Sequence, residues 1–236
     1  MVWRMLLHGF AMQMIQEKLA ERTSEAGRAA EVDDVPCDVG FVFALGIESG
    51  GLEDLLENPV EQTGNGFRLR EGWLDGRRVA VVIGGAGRPA AAHAAQALIA
   101  GRRPKWIVSA GFGGGLDPRA EKFDVVLCNE IDAAGESKRY SVDFKVTPEA
   151  LAATKHVHVG RLLTVDQIVY AAAEKQALGQ SAGALVVDME THSVAEVCRE
   201  AATKFMAVRI VTDTANDDLP PDVGRLLDQK TMVRQA

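Results

Sequence analysis

Two apolar runs, each ending in acidic residues, most constrain how this chain can fold. Residues 186–190 read Val-Val-Asp-Met-Glu, and residues 208–213 read Val-Arg-Ile-Val-Thr-Asp. Runs of this kind, rich in β-branched residues, form buried strands of a parallel sheet. The segment between them carries the apolar stripe of a helix packed on a sheet, at Val194, Val197, Cys198 and Ala201. The pattern predicts a right-handed strand–helix–strand unit with both acidic ends at one edge, where open α/β sheets bind ligands.

The alternation of apolar runs and helical segments continues along most of the chain. It predicts a three-layer α/β/α domain with a twisted, mostly parallel mixed sheet, covering residues 37–236 as a single unit. A turn at Asp75-Gly76 joins two antiparallel strands, and residues 131–156 are expected to be an irregular surface excursion. The predicted strands are 39–45, 67–73, 78–83, 106–110, 124–129 and 157–163; a turn at 46–51 precedes a helix from 52, and further helices run to 99 and over 171–178.

The first 36 residues precede the first convincing strand and are treated separately. Trp3, Leu6, Leu7, Phe10 and Met14 fall at helical spacing, and a charged segment follows. We interpret this part as an N-terminal amphipathic helix that packs on the domain or at a subunit contact. A membrane-surface anchor is the alternative.

Composition excludes several classes of partner. The net charge of −7 indicates no nucleic-acid partner, and no apolar run has the length of a membrane span. The three cysteines, Cys37, Cys128 and Cys198, have no metal-binding spacing, and neither do the histidines. We expect a cytoplasmic protein with buried thiols, no metal and no cofactor.

Five separated motifs, in this order, resemble those of the nucleoside phosphorylase/nucleosidase superfamily. This is the family of purine and uridine phosphorylases and of methylthioadenosine/S-adenosylhomocysteine nucleosidases. The motifs lie at residues 44–48, 84–87, 109–116, 187–190 and 209–213. Residues 164–175, 187–192 and 219–221 resemble the hopanoid-associated phosphorylase-like proteins within it. The resemblance implies that the substrate is a small nucleoside and that the chain forms a homodimer or a larger homo-oligomer.

The resemblance implies cleavage of the N-glycosidic bond of a purine nucleoside. A purine nucleoside with an apolar 5′ substituent is one version of this hypothesis. Asp213 matches the position that manages the proton at purine N7, although alone it also suits a capping role. Glu190 matches the carboxylate that accepts hydrogen bonds from ribose hydroxyls, and Met189 matches a residue that packs on the sugar. Glu48 matches the glutamate that positions the attacking water in hydrolytic nucleosidases. Arg209, inside a buried strand, is expected to form a structural ion pair.

The remaining candidates for substrate binding follow from the same motifs. In the family, an aromatic side chain near the position of Ile168 lines the base pocket, whereas this chain has an aliphatic one. Phe112 either compensates for it or packs beneath its loop. The other substrate-binding candidates are Gly84, Gly85, Gly111 and Thr212.

Two alternatives to hydrolysis stay open. In phosphorolysis, phosphate would be a co-substrate held by Gly87 and Arg88 at a helix N-terminus. The loop over residues 46–51 lacks the arginine that phosphorylases typically carry there, which favours hydrolysis. The second alternative is a protein that binds nucleosides without catalysis, which the incomplete base pocket suggests.

Overall fold

Ten strands in the described part of the chain join into one mixed sheet. The computed structural model describes residues 36–64, 66–147 and 154–224. The amphipathic helix and charged segment predicted for residues 1–36 therefore lie outside the described residues, except for Pro36, with which these begin. The strands are β1 (Val39–Phe43), β2 (Glu57–Gly64), β3 (Phe67–Leu74), β4 (Arg77–Ile83), β5 (Trp106–Gly115), β6 (Val125–Ala133), β7 (Tyr140–Ser141), β8 (Val157–Thr164), β9 (Ala184–Asp188) and β10 (Lys204–Asp213). The helices are α1 (Gly46–Glu53), α2 (Arg88–Arg102), α3 (Ala172–Ala182) and α4 (Thr191–Glu200).

The sheet runs in the order β2-β3-β4-β1-β5 and then closes into a ring of β5, β10, β6, β8 and β9. Strand β5 pairs in parallel with β1 and β10, and antiparallel with β9. Strands β6, β8 and β9 are mutually parallel, whereas β10 pairs antiparallel with β6. The predicted mixed α/β sheet is confirmed. The prediction that the two acidic strands are parallel members of one strand–helix–strand unit is wrong, because β9 and β10 flank β5 and run in opposite directions along it.

Alternating side chains of the ring strands place helices on both faces of the sheet. Leu162 and Val186 pack in the cluster that contains the apolar faces of α2 and α4. The next residues along the same strands, Leu163 and Val187, pack in a second cluster with Leu178 of α3. Because successive residues of a strand point to opposite faces, the helices form two outer layers around the sheet.

Glycines in the second half of β5 allow the ring to close. The segment was predicted to leave the sheet after residue 110, but β5 continues to Gly115. A Cβ atom at Gly113 would lie 3.0 Å from the Val187 carbonyl oxygen, and one at Gly115 would lie 3.1 Å from the Asp213 carbonyl oxygen. Both contacts are tight, so the absence of side chains lets β9 and β10 approach β5 closely.

Helix α1 replaces the turn that was predicted for residues 46–51. It begins at Gly46 although the segment is rich in glycine, and it buries Ser49 and Leu52. The Glu48 carboxylate accepts a hydrogen bond of 2.7 Å from the N–H of Leu45, which precedes the helix. This capping interaction and the burial of one face outweigh the low helix propensity of glycine.

Strands β2 and β7 were not predicted from the sequence because they lack an alternating apolar pattern. Every described residue of β2 is exposed, and this strand forms the edge of the sheet beside β3. The short strand β7 lies in the segment that was predicted to be irregular and pairs with β6. Hydrogen bonding to a neighbouring strand, rather than side-chain pattern, determines both strands.

Composition led us to expect buried thiols and no membrane-spanning segment. Cys37, Cys128 and Cys198 are free and buried, and burial raises the pKa of each thiol to about 12. Within the described ranges, no helix combines the length and apolar character needed to cross a membrane.

Replacing a helical glycine by alanine should have opposite effects in α3 and in α2. A Cβ at Gly179 of α3 would collide with the Leu116 carbonyl oxygen, whereas a Cβ at Gly101 of α2 would meet nothing within 4 Å. We expect Gly179→Ala to lower the free energy of unfolding by about 1–3 kcal/mol through overpacking. The matched control, Gly101→Ala, should raise it by about 0.5–1 kcal/mol through helix propensity. Urea denaturation measures both values, and equal effects would contradict this packing.

Candidate functional site

A cavity of about 240 Å³ lies where β9 and β10 end beside the glycine-rich half of β5. The segment after β8, the start of α1 and residues 219–223 complete its wall. Seven residues predicted from the sequence line it together: Glu48, Phe112, Ile168, Met189, Glu190, Thr212 and Asp213. These side chains come from separate parts of the chain, and the closed ring of strands brings them into one concave site.

Backbone amides hold Glu48 at one end of the cavity. Its Oε2 accepts a hydrogen bond from the Leu45 N–H, and its Oε1 accepts one of 2.9 Å from the Phe112 N–H. Burial raises the pKa of this carboxyl above its ordinary value, although the two amide donors act in the opposite direction. A Cβ at Gly111 would lie 2.7 Å from Glu48 Oε1, so the glycine leaves room for the carboxylate.

Glu190 occupies the N-terminus of helix α2. Its Oε1 accepts a hydrogen bond of 2.7 Å from the Gly87 N–H, and its Oε2 accepts one of 3.2 Å from the Met189 N–H. The helix N-terminus, with its partial positive charge, is therefore already paired with a carboxylate. Burial, and then the neighbouring charge of Asp188, raise the pKa of Glu190 to about 7.

A buried ion pair lies behind these two carboxylates. Arg209 Nη2 is 2.5 Å from Asp188 Oδ2, and both residues are almost fully buried. Arg209 also donates to the Ser109 carbonyl oxygen and hydroxyl, each at 3.0 Å. Asp188 accepts further hydrogen bonds from the Thr164 hydroxyl and from the backbone and side chain of Thr191. The structural ion pair expected for Arg209 is present, and its partner is Asp188.

A second, much smaller cavity of about 10 Å³ adjoins Glu48. Glu48, Ser109, Gly111, Glu190 and Arg209 are among its lining residues. Arg209 Nε is buried and has no hydrogen-bond acceptor among the described residues. A space of this size accommodates about one water molecule, and this one is bordered by a carboxylate acceptor and a guanidinium group.

Asp213 is held at the other side of the main cavity. Its Oδ1 accepts a hydrogen bond of 2.8 Å from the Thr212 hydroxyl. Its Oδ2 accepts a hydrogen bond from Lys175 Nζ, and the Lys175 side chain is fully buried. Lys175 was not among the site residues predicted from the sequence, because a lysine within a helical segment is usually exposed.

The other predicted residues occupy different positions around the site. Phe112 is exposed and lines the same cavity as the aliphatic Ile168, so it does not pack beneath a loop. Gly84 and Gly85 lie outside the main cavity. A Cβ at Gly84 would lie 2.6 Å from the Ala94 Cβ, which indicates a role in packing α2 against the sheet.

Arg88, the candidate phosphate ligand, is engaged by two acids outside the cavity. Its Nη1 donates to Glu136, and its Nε lies 3.0 Å from Asp166 Oδ1. The Gly87 N–H is thus paired with Glu190 and the Arg88 charge with two acids, whereas the buried Nη2 of Arg88 has no hydrogen-bond partner among the described residues. Among the described residues, no group of three or more His, Cys, Asp or Glu side chains has the geometry of a metal site.

The chain is similar to known proteins over most of its length. A sequence model described as "Phosphorylase superfamily" matches residues 38–235. A 5′-methylthioadenosine/S-adenosylhomocysteine nucleosidase of Pseudoalteromonas translucida is 26% identical over 212 residues, covering 81% of this chain and 90% of the relative.

Two solved structures share the fold. The 5′-methylthioadenosine/S-adenosylhomocysteine nucleosidase of Neisseria meningitidis in complex with methylthio-immucillin-A superposes with a TM-score of 0.68 at 21% identity, covering 84% of this chain and 97% of that one. A futalosine hydrolase mutant of Helicobacter pylori has a TM-score of 0.69 at 15% identity, covering 84% and 95%.

Removing the charge of Asp188 should destabilise the whole domain. In Asp188→Asn the buried Arg209 guanidinium loses its counter-charge, and we expect the free energy of unfolding to fall by about 3–5 kcal/mol. The matched control is Asp117→Asn, which removes an exposed pair with Arg119 and should cost less than about 1 kcal/mol. Urea denaturation measures both variants. A loss for Asp188→Asn no larger than the control would contradict the role of the pair.

Proposed function

Because the chain belongs to the phosphorylase superfamily, we propose that it is a nucleosidase that hydrolyses the N-glycosidic bond of a purine nucleoside. The similar proteins of Pseudoalteromonas translucida and Neisseria meningitidis are both named as nucleosidases. The observation that carries the proposal is the position of Glu48, whose carboxylate borders both the main cavity and the one-water space beside Arg209.

Glu48 acts on the attacking water. A water molecule in the small cavity donates a hydrogen bond to the Glu48 carboxylate and accepts one from Arg209 Nε, which needs an acceptor. As the water attacks the anomeric carbon, its proton passes to Glu48. The raised pKa of this carboxyl suits a group that must accept a proton near neutral pH.

Glu190 and Met189 bind the sugar. Each oxygen of the Glu190 carboxylate accepts one backbone hydrogen bond and retains a lone pair for a ribose hydroxyl. Met189 presents an apolar surface to the sugar ring from the same wall of the cavity. The acidic groups around the cavity also stabilise the positive charge that develops on the ribose as the bond to the base breaks.

Asp213 manages the proton of the departing base. The purine lies between Phe112 and Ile168, and Asp213 transfers a proton to N7 so that the base leaves in a neutral form. Thr212 orients the carboxyl group through its hydroxyl. Gly111 and Gly84 support the site from behind by allowing close packing, and Gly85 does so by adopting a positive φ.

The phosphorolysis hypothesis has less support in this geometry. A phosphate dianion would have to approach the Glu190 carboxylate, which already accepts the Gly87 N–H. Arg88 would have to leave Glu136 and Asp166. The small cavity beside Glu48 has room for about one water, whereas phosphate has five heavy atoms.

Other properties are proposals that the family relationship supports. We propose that the enzyme needs no cofactor, that it is cytoplasmic and that it forms a homodimer or a larger homo-oligomer. Undiminished activity after dialysis against a chelator, cell fractionation and light scattering test these three statements in turn. The closer relationship to the hopanoid-associated phosphorylase-like proteins stays a prediction from the sequence.

Turnover should not depend on phosphate. With adenosine or 5′-methylthioadenosine as substrate, we expect release of adenine and a free sugar at equal rates in phosphate-free and phosphate-containing buffer, because water is the nucleophile. Chromatography of the products makes the measurement. Formation of the sugar 1-phosphate would establish phosphorolysis instead. Binding of purine nucleosides by calorimetry without turnover of any of them would establish a non-catalytic binding protein.

Replacing Glu48 should remove most of the activity and one of the two ionisations on the acid side of the pH profile, the other being that of Glu190 with its pKa of about 7. We expect Glu48→Gln to lower kcat by about 100-fold or more, the typical contribution of a general base. In the unmodified enzyme, kcat/KM should fall as pH drops through a value above 4.5, the ordinary pKa of the group, because a protonated Glu48 accepts no proton. The control variant Glu61→Gln, on the exposed strand β2, should keep both kcat and the profile.

A further inference from the structure

Lys175 donates a hydrogen bond to Asp213, but none of the proposed reaction steps involves this lysine. The residue lies on α3 and its side chain is fully buried. Its ammonium donates to Asp213 Oδ2, to the Asp217 carbonyl oxygen at 2.8 Å and to the Thr214 carbonyl oxygen at 3.4 Å. All three donors of the ammonium therefore face acceptors, and the Asp213 carboxylate is the only charged group among them.

A purely structural role does not explain why the buried group carries a charge. Taking an ammonium out of water costs several kcal/mol before its partners compensate. The neighbouring residue, Gln176, already holds the same loop with neutral hydrogen bonds from its Nε2 to the Ala215 carbonyl oxygen at 3.3 Å and to Asn216 Oδ1 at 3.0 Å. The loop after β10 thus has a neutral attachment to α3, and the charge at residue 175 is directed at Asp213.

We propose that Lys175 is a positioning residue for proton transfer to the departing purine. Its ammonium fixes Oδ2 of Asp213 while the Thr212 hydroxyl fixes Oδ1, so the carboxyl group keeps one orientation towards the base. Asp213 takes up a proton from solvent in the cavity before cleavage. As the electron pair of the glycosidic bond passes to the purine, N7 takes this proton from the Asp213 carboxyl group. Lys175 keeps its own proton and stabilises the carboxylate that this transfer leaves behind.

The inference rests on the proposed function, and a pair of substrates with different leaving groups tests it. Adenosine or 5′-methylthioadenosine, whichever the wild-type enzyme turns over faster, releases a base that needs a proton. The nitrophenolate of p-nitrophenyl β-D-ribofuranoside leaves without one. In Lys175→Met we expect kcat for the purine nucleoside to fall by about 100-fold with little change in KM, while cleavage of the nitrophenyl riboside stays within about a factor of three.

Three further variants complete the design. Asp213→Asn should show the same dependence on leaving group as Lys175→Met, because both changes act on one proton transfer. Lys175→Arg keeps the positive charge and should recover much of the purine activity. Lys105→Met replaces an exposed lysine and should change neither rate. Thermal melting of each variant shows that the fold is retained.

The outcomes separate the inference from the proposed function. An equal loss on both substrates, or a purine kcat in Lys175→Met close to that of the wild-type enzyme, would overturn the role of Lys175 while the nucleosidase assignment stands. Failure of the wild-type enzyme to release the base from any purine nucleoside would overturn both. A selective loss on the purine nucleoside, with recovery in Lys175→Arg, would support both.

Discussion

The buried ion pair between Arg209 and Asp188 is the interaction on which the architecture of the site depends. Arg209 comes from β10 and Asp188 from the end of β9. Thr191 of α4 donates to Asp188 and accepts from Arg209, and Ser109 of β5 accepts from Arg209. Strand β8 joins the network through Thr164. Since an unpaired buried charge is strongly unfavourable, the pair holds together the strands that close the ring and carry the cavity walls.

Two carboxylates of the site, those of Glu48 and Glu190, are held by backbone donors in front of this pair. Glu48 is bound by amides of the chain before α1 and of β5, and Glu190 by amides at the start of α2 and beside β9. Such donors keep each carboxylate in place without a mobile side chain, which reduces the reorganisation needed during reaction. Two of these acids have raised pKa values because they are buried, so the site combines fixed geometry with groups that titrate nearer to neutral pH.

Much of the candidate site could be predicted because its residues lie in short local motifs. Glu48, Glu190 and Asp213 each follow an apolar run, and the structure brings them to one cavity as expected. Lys175 was missed because nothing in a helical sequence indicates that a lysine is buried against a residue 38 positions away. The ring was missed for a related reason, since the glycines of β5 suggested a loop and only the neighbouring strands show that they permit close approach.

The sequence by itself determined the alternation of strands and helices, the burial of the apolar runs and the places where chemically active side chains follow them. These properties depend on periodicity and on local motifs, which a short segment contains in full. Only the tertiary structure decided that β9 and β10 flank β5, that α1 begins at Gly46, that Asp188 neutralises Arg209 and that Lys175 reaches Asp213. These features depend on contacts between distant segments, whose free energy is gained only when the chain has closed upon itself.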